Sequence, residues 1–293
     1  MNPLVESWEL ATGLFRDGFI ALVAAGIFLP PLGALLSLRR MPFVTIAVPA
    51  VAGAGVAFAF WVWPLIATVD FASGSLAPPP ISVQNFGALL ALTLGIWWLA
   101  GRSDRRTPME THSAILFVAA LALSEIFAVE SRYEEIADQW LHHGRILSVL
   151  PEGRNRVLAA TFGAALFWWF FRRQLWLTAL DRDFGRLRGL RAGHWLFITL
   201  ALVGFTCAFT VPELGPQTIL ALLLIPATLL RPVATTLVQH ACWSSVVGLV
   251  SVFFAFTVAV DRNWPVTPAL TVGLIGLSWL LRWGLRSRRS VRS

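Results

Sequence analysis

The 293-residue sequence is 57% hydrophobic, and only 13% of its residues carry a charge. A soluble domain of this length needs far more polar surface, so the composition excludes an ordinary globular domain. The net charge is +7, and all 23 basic residues are arginines. Because these arginines cluster at the ends of apolar segments, membrane topology explains them, and we expect no nucleic-acid partner.

Apolar windows of roughly 18–25 residues recur along the chain, and each is long enough to cross a bilayer core of about 30 Å. The predicted fold is all-α, a polytopic transmembrane helical bundle that forms a single domain over residues 1–293. The predicted spans lie at 17–38, 43–66, 83–101, 112–130, 156–174, 194–212, 215–231, 238–260 and 266–284. The segment 215–231 is short and proline-rich, so it is either a full span or a broken or half-spanning helix, and the count is eight or nine.

The placement of arginines predicts the orientation of the bundle. Arginines are frequent at 39–40, 102–106 and 172–191 and after residue 282, whereas 67–82, 212–216 and 261–265 nearly lack them. With nine crossings, the arginine-rich loops all fall on one side, which the positive-inside rule makes the cytoplasm. The outer loop 131–156 conflicts with this rule, because it contains Arg132, Arg145, Arg154 and Arg156.

Two cysteines and His240 lie within the predicted spans, and their side chains can bind metals or titrate. Cys207 and Cys242 lie within predicted spans, where we expect small apolar packing residues rather than a disulfide. His240 lies near the cytoplasmic end of its span and is predicted to be an interfacial histidine.

Five short motifs follow one another in a specific order. They are Leu38-Arg39-Arg40-Met41, Gly55-Val56-Ala57, Leu180-Asp181-Arg182-Asp183-Phe184 through Gly189, Gly215 through Leu222-Leu223 and Pro226-Ala227 to Arg231, and Pro265-Val266-Thr267-Pro268. Together they cover roughly residues 30–285 and resemble the membrane permease subunits of bacterial ABC importers for zinc, manganese and iron.

The resemblance implies a transport subunit in the bacterial cytoplasmic (inner) membrane that moves cargo by alternating access. It implies a second permease chain, in a homo- or heterodimer, together with cytoplasmic ABC ATPase subunits and an extracytoplasmic substrate-binding protein. The sequence has no G-x-x-x-x-G-K-[ST] motif, so we expect no enzyme activity and no bound cofactor in this chain, with ATP bound by the partner ATPase.

The segment 178–191 corresponds, in this resemblance, to the cytoplasmic coupling helix that binds the ATPase. Leu180, Phe184 and Leu187 follow at i, i+4 and i+7, which is an apolar stripe on a short basic helix. Asp181 and Gly189 belong to the same motif. An interfacial helix that lies on anionic lipid is the alternative interpretation.

The usual metal ligands of the family are missing. In the family, the segment after the Arg-Arg-Met motif carries an aspartate and, four residues later, a histidine on the same helix face. At those positions this sequence has Ile46 and Ala50. Three explanations remain open: a partner chain supplies the ligands, the cargo is a metal chelate or a small organic molecule, or transport has been lost.

Other polar residues are candidates to replace the missing pair. Glu125 is predicted to lie deep in the fourth span, where a buried carboxylate usually faces a cavity or a partner, and Gln217 lies in the short proline-rich segment. Outside the membrane, Glu134, Asp138 and His142 would share a face if the loop is helical, and with His143 they are weak candidates for a metal site. The simpler interpretation is that each of these side chains is solvated or hydrogen-bonded and has no functional role.

The sequence therefore predicts a permease subunit of an ABC importer for a divalent metal ion or a metal complex. The alternatives are a permease for a non-metal small molecule and a non-transporting membrane scaffold or regulator.

Overall fold

The structure is a computed structural model that describes residues 13, 15–39, 41–66, 78–101, 109–142, 144–180, 191–262 and 264–290. Within these ranges the regular structure is helical, as the composition predicts, and no strand occurs. The helices, in chain order, are α1 (Arg16–Leu38), α2 (Pro42–Ile66), α3 (Ile81–Gly101), α4 (Met109–Glu130), α5 (Glu134–His142), α6 (Pro151–Leu180), α7 (Ala192–Leu214), α8 (Pro216–Leu230), α9 (Leu237–Arg262) and α10 (Val266–Ser290). A short 3-10 turn at Ile146–Ser148 separates α5 from α6.

Seven of the described helices are long and apolar enough to cross a membrane, namely α1, α2, α3, α4, α7, α9 and α10. The other two predicted spans are α6 and α8. Helix α6 has 30 residues, but arginines flank its apolar stretch on both sides. Helix α8 has 15 residues, so at 1.5 Å per residue it is shorter than the bilayer core.

The short segment α8 is a continuous helix, despite its prolines. Pro216 occupies the first helical position, where a missing N–H is harmless, and Pro226 is accommodated inside the helix. Gly215 alone separates α7 from α8, with a positive φ of 79° that favours glycine. The two helices therefore reverse direction at a single residue.

The bundle consists of two groups of helices. Helix α1 packs against α6, α8 and α9, and α10 packs against α8 and α9. Helix α2 packs against α3 and α4, and α7 packs against α3 and α6. Contacts of α2 with α8 and of α7 with α6 join the groups, and α2 is almost continuously buried from Val44 to Phe60.

Contacts between helix ends show which ends of the helices lie together. Their arrangement agrees with a chain that crosses the bundle nine times. At one end, Asp17 lies beside Arg154, and Thr218 and Thr267 share a hydrogen bond of 2.8 Å. At the other end, Leu38, Leu180 and Thr235 line one cavity. We call these the arginine-poor and the arginine-rich end; that the arginine-rich end faces the cytoplasm stays a prediction.

The arginines that conflict with the positive-inside rule are engaged by the protein. The Arg154 guanidinium lies 2.6 Å from the Asp17 carboxylate, and that of Arg156 lies 3.4 Å from Glu213. The Arg145 guanidinium stacks 4.5 Å from the Trp140 ring. These contacts give three of the four arginines a structural role at the arginine-poor end.

The glycine motif allows α2 and α3 to pack in close contact. Gly55 and Gly87 face each other, and a side chain at either position would collide with the backbone carbonyl of the other. Small residues permit this approach of transmembrane helices, in which packing replaces the hydrophobic effect as the main attraction.

Replacing Gly55 with leucine should therefore destabilise the protein by about 2–3 kcal/mol, because the added atoms must separate two backbones. Thermal unfolding of the detergent-purified protein measures this change. Gly163→Leu in α6 is the matched control, since a Cβ atom at Gly163 has nothing within 4 Å. Equal unfolding temperatures for the two variants would contradict the role of Gly55.

Candidate functional site

A cavity of about 210 Å³ lies between the two helix groups. Helices α2, α4, α5 and α8 all contribute to its wall. Its lining residues are Ala50, Gly53, Phe117, Leu121, Ser124, Glu125, Leu141, Pro216, Gln217 and Leu220. The structure thus brings together Ala50, Glu125 and Gln217, three of the four predicted pathway residues, from three helices.

Ile46, the fourth predicted pathway residue, is partly buried on α2 and does not line this cavity. Ala50 lies one turn further along α2 and presents only a methyl group. The small side chain of Ala50 leaves open space beside Glu125 and Gln217, at the position where the resemblance implies a histidine.

The prediction that Glu125 is a buried carboxylate is wrong for this chain, because its side chain is not buried. The side chain is exposed, and the residue lies little more than one turn from the end of α4 at Glu130. The reason is that α4 packs mainly on α2 and leaves most of its own surface outward. Its neighbour Ser124 is buried and donates a 2.8 Å hydrogen bond to the Leu121 carbonyl.

The polar groups of the cavity are few but chemically distinct. Glu125 supplies a carboxylate, Gln217 an amide and Ser124 a hydroxyl group, and the rest of the wall is apolar. Carboxylate and amide oxygens are hard ligands that bind divalent cations. Among the residues that the structure describes, no three His, Cys, Asp or Glu side chains are arranged to hold a metal ion.

The predicted outer metal cluster is helical, as its spacing requires. Glu134 and Asp138 are exposed on α5, whose other face packs Ala137 and Leu141 against the bundle. Trp140 stacks edge-on against Phe60 of α2 at 4.9 Å and holds the helix in place. The side chain of His142, and His143 as a whole, lie outside the described residues.

The predicted coupling segment is described only at its start. Leu180 ends α6 and is 60% exposed, next to Leu38 and the turn that begins at Arg231. Asp181, Phe184, Leu187 and Gly189 lie outside the described residues.

Two residues make structural contacts that sequence reasoning missed. Arg39 of the Arg-Arg-Met motif is buried, and its guanidinium donates to the Thr178 hydroxyl at 3.0 Å and to the Trp195 carbonyl at 3.5 Å. This arginine therefore joins the ends of α1, α6 and α7 rather than serving topology alone.

Glu213 is the second missed residue. It is 1% exposed, its Oε1 atom lies 3.4 Å from Arg156, and its Oε2 atom has no hydrogen-bond partner among the described residues. Gly153 provides the space, because any side chain there would collide with this carboxylate. A lone glutamate at the end of an apolar span was the sequence signal that could have revealed the contact.

The burial of His240 and the exposure of Cys242 were not predicted. His240 lies one turn inside α9 at the arginine-rich end, where it is buried in the protein, and its Nε2 atom forms a 2.9 Å hydrogen bond with the Ala227 carbonyl, since α8 packs over it. Cys207 is buried as predicted, but Cys242 is exposed because it faces outward between α1 and α6.

A multi-pass helical bundle with a small cavity between its two helix groups, lined by a few polar side chains, fits a membrane transport subunit. The sequence matches the model of the ABC 3 transport family over residues 12–281, and the chain belongs to this family. The predicted family, the membrane permease subunits of ABC importers, is confirmed.

Two solved structures have a similar fold. The structure of PsaBC from Streptococcus pneumoniae in complex with Fab matches with a TM-score of 0.76 at 18% identity, over 95% of this chain and 95% of that chain. An inward-facing conformation of a protein provisionally assigned as a metal-chelate type ABC transporter matches with a TM-score of 0.73 at 15% identity, over 94% and 89% of the two chains. At these identities the likeness concerns the fold alone.

Proposed function

We propose that this chain is the permease subunit of an importer for a divalent metal ion or a small metal complex, in the bacterial cytoplasmic membrane. It moves its cargo by alternating access together with a second permease chain, a cytoplasmic ATPase and an extracytoplasmic binding protein. The observation that carries the proposal is the cavity in which Glu125 and Gln217 lie beside Ala50.

In this proposal, Glu125 takes over the role of the missing aspartate and histidine from a different helix. The charged ligand comes from α4 rather than α2, and Ala50 leaves the space that the carboxylate and its cargo need. A divalent cation gains most from a carboxylate, because the interaction is charge-assisted.

The size of the cavity favours a small cargo. At about 210 Å³ it is smaller than the roughly 300–1,000 Å³ of sites for drug-sized ligands. A metal ion with part of its water shell fits such a space. A larger chelate would need the second permease chain to supply most of its site.

The test of this function is a measurement of ATP hydrolysis by the complex purified with its co-expressed neighbours in nanodiscs. Zinc, manganese and ferrous iron are each titrated with the binding protein present. We expect one of them to stimulate hydrolysis several-fold. An active ATPase that ignores all three metals would favour a non-metal cargo, and failure to recover any ATPase would favour a scaffold.

A second variant tests the coupling segment in the same complex. Leu180, Phe184 and Leu187 are replaced together by serine, which removes the apolar stripe while leaving the cavity untouched. The variant should insert in the membrane but should no longer copurify with the ATPase. If the ATPase stays bound, the segment 178–191 is not the coupling helix.

A further inference from the structure

We propose that a groove on the outer surface of the bundle binds one anionic phospholipid, in the leaflet at the arginine-rich end. The groove runs between α1, α6 and α9 and has a volume of about 400 Å³. Its wall includes Phe28, Pro31, Ala165, Trp169, Cys242 and Val246. It is separate from the cavity that contains Glu125, with which it shares no lining residue.

The chemistry of the wall fits an acyl chain. The lining side chains are almost entirely apolar, and the hydroxyl of Ser245 is turned away to donate a 2.8 Å hydrogen bond to the Ile27 carbonyl. The lining residues of α1 and α9 lie one turn or more inside the ends of these membrane-spanning helices, so we expect the groove to face the hydrocarbon core of the bilayer. An unfilled groove would forfeit the dispersion contacts of its wall, and a lipid chain supplies them.

The charge next to the groove fits an anionic headgroup. Arg172 and Arg173 follow Trp169 by one helical turn in the direction of the arginine-rich end, and both side chains are exposed. The Arg172 guanidinium stacks 4.6 Å from the ring of Trp169, which itself lines the groove. Within the described ranges neither arginine has a carboxylate partner.

The two features are continuous along one helix, which is why we assign them to one molecule. The guanidinium group presents a planar fork of N–H donors that matches a phosphate, and its stacking on Trp169 orients it at the mouth of the groove. A lipid whose chain occupies the groove therefore places its phosphate within reach of these arginines. A zwitterionic lipid gains less, because its own cation opposes theirs.

Native mass spectrometry of the complex tests this site. The complex is released from nanodiscs that contain equal amounts of phosphatidylglycerol and phosphatidylcholine with the same acyl chains. We expect the wild type to retain phosphatidylglycerol preferentially. The double change R172Q/R173Q should lower that retention by about fivefold for each arginine, and R172K/R173K, which keeps the charges but loses the planar fork and the stacking, should preserve part of it.

A second pair of variants tests the groove itself. Ala165→Trp fills the groove and should lower the retention of both lipids, whereas Leu166→Trp, at the exposed neighbouring position on α6, should not. Arg282→Gln, an arginine at the same end on α10, is the charge control and should have no effect.

Several outcomes would overturn the site. Equal retention of the two lipids by the wild type, or unchanged retention in R172Q/R173Q, would exclude the headgroup contact. Unchanged retention in Ala165→Trp would exclude the groove. Loss of a protein subunit from the Ala165→Trp complex would show that a polypeptide, rather than a lipid, covers this surface.

Discussion

Replacing Arg156 with glutamine is expected to destabilise the folded protein by about 3 kcal/mol. The change removes the cation that lies 3.4 Å from the Glu213 carboxylate, which is 1% exposed. A buried charge that loses its partner typically costs about 3–5 kcal/mol, far more than the pair itself contributes. The lower end of that range applies here, because the Arg156 side chain is 28% exposed.

Unfolding of the purified protein by titration with a denaturing detergent measures this effect. The double variant R156Q/E213Q should recover most of the loss, because it removes the stranded carboxylate as well. The neighbouring pair provides a control: Arg154 and Asp17 are each 25% exposed, so R154Q should cost less than about 1 kcal/mol. If R156Q is no worse than R154Q, the burial of Glu213 does not depend on Arg156.

Replacing Glu125 with glutamine is expected to reduce metal-stimulated transport by about tenfold or more while the complex still assembles. The amide keeps the shape of the side chain but loses the charge that would bind a divalent cation in the cavity. Interactions of a charged group contribute about 1.5–3 kcal/mol, which corresponds to roughly 10–150-fold in affinity. Uptake of the stimulating metal into proteoliposomes measures the change.

Glu130→Gln is the matched control, because Glu130 is exposed on the same helix but does not line the cavity. A further variant adds Ile46→Asp and Ala50→His to Glu125→Gln, which restores the ligand pair of the family and should recover part of the uptake. If Glu125→Gln transports as well as Glu130→Gln, the carboxylate is not a ligand for the cargo. If it instead lowers the yield of the complex, its role is structural.

Most of the fold could be predicted because the signals are local. An apolar window long enough to cross the bilayer predicts each span, and the arginines in the loops predict which loops lie at the same end of the bundle. The helix α6 shows the limit of such reasoning. The apolar window predicts a span over 156–174, whereas the helix runs on past the flanking arginines, from Pro151 to Leu180, and packs against α1 and α7.

The candidate site could be predicted only in part. The spacing after the Arg-Arg-Met motif pointed to Ile46 and Ala50, but only Ala50 reaches the cavity. Glu125 was singled out because a carboxylate in an apolar span is unusual, although its burial was predicted wrongly. Burial depends on which faces of α4 its neighbours cover, and the sequence of α4 alone does not contain that information.

The sequence by itself determined the helical membrane architecture and the family, and it predicts that Ile46 and Ala50 stand where the resemblance implies an aspartate and a histidine. The tertiary structure alone decided which distant residues meet. Glu213 and Arg156 are 57 residues apart, and Arg39 and Thr178 are 139 apart, yet each pair is in contact. The same holds for Ala50, Glu125 and Gln217, since three separate helices must pack side by side before these residues share one cavity. Hydropathy and charge act on each segment independently, whereas such contacts depend on the small residues that set how closely, and in what order, the segments pack.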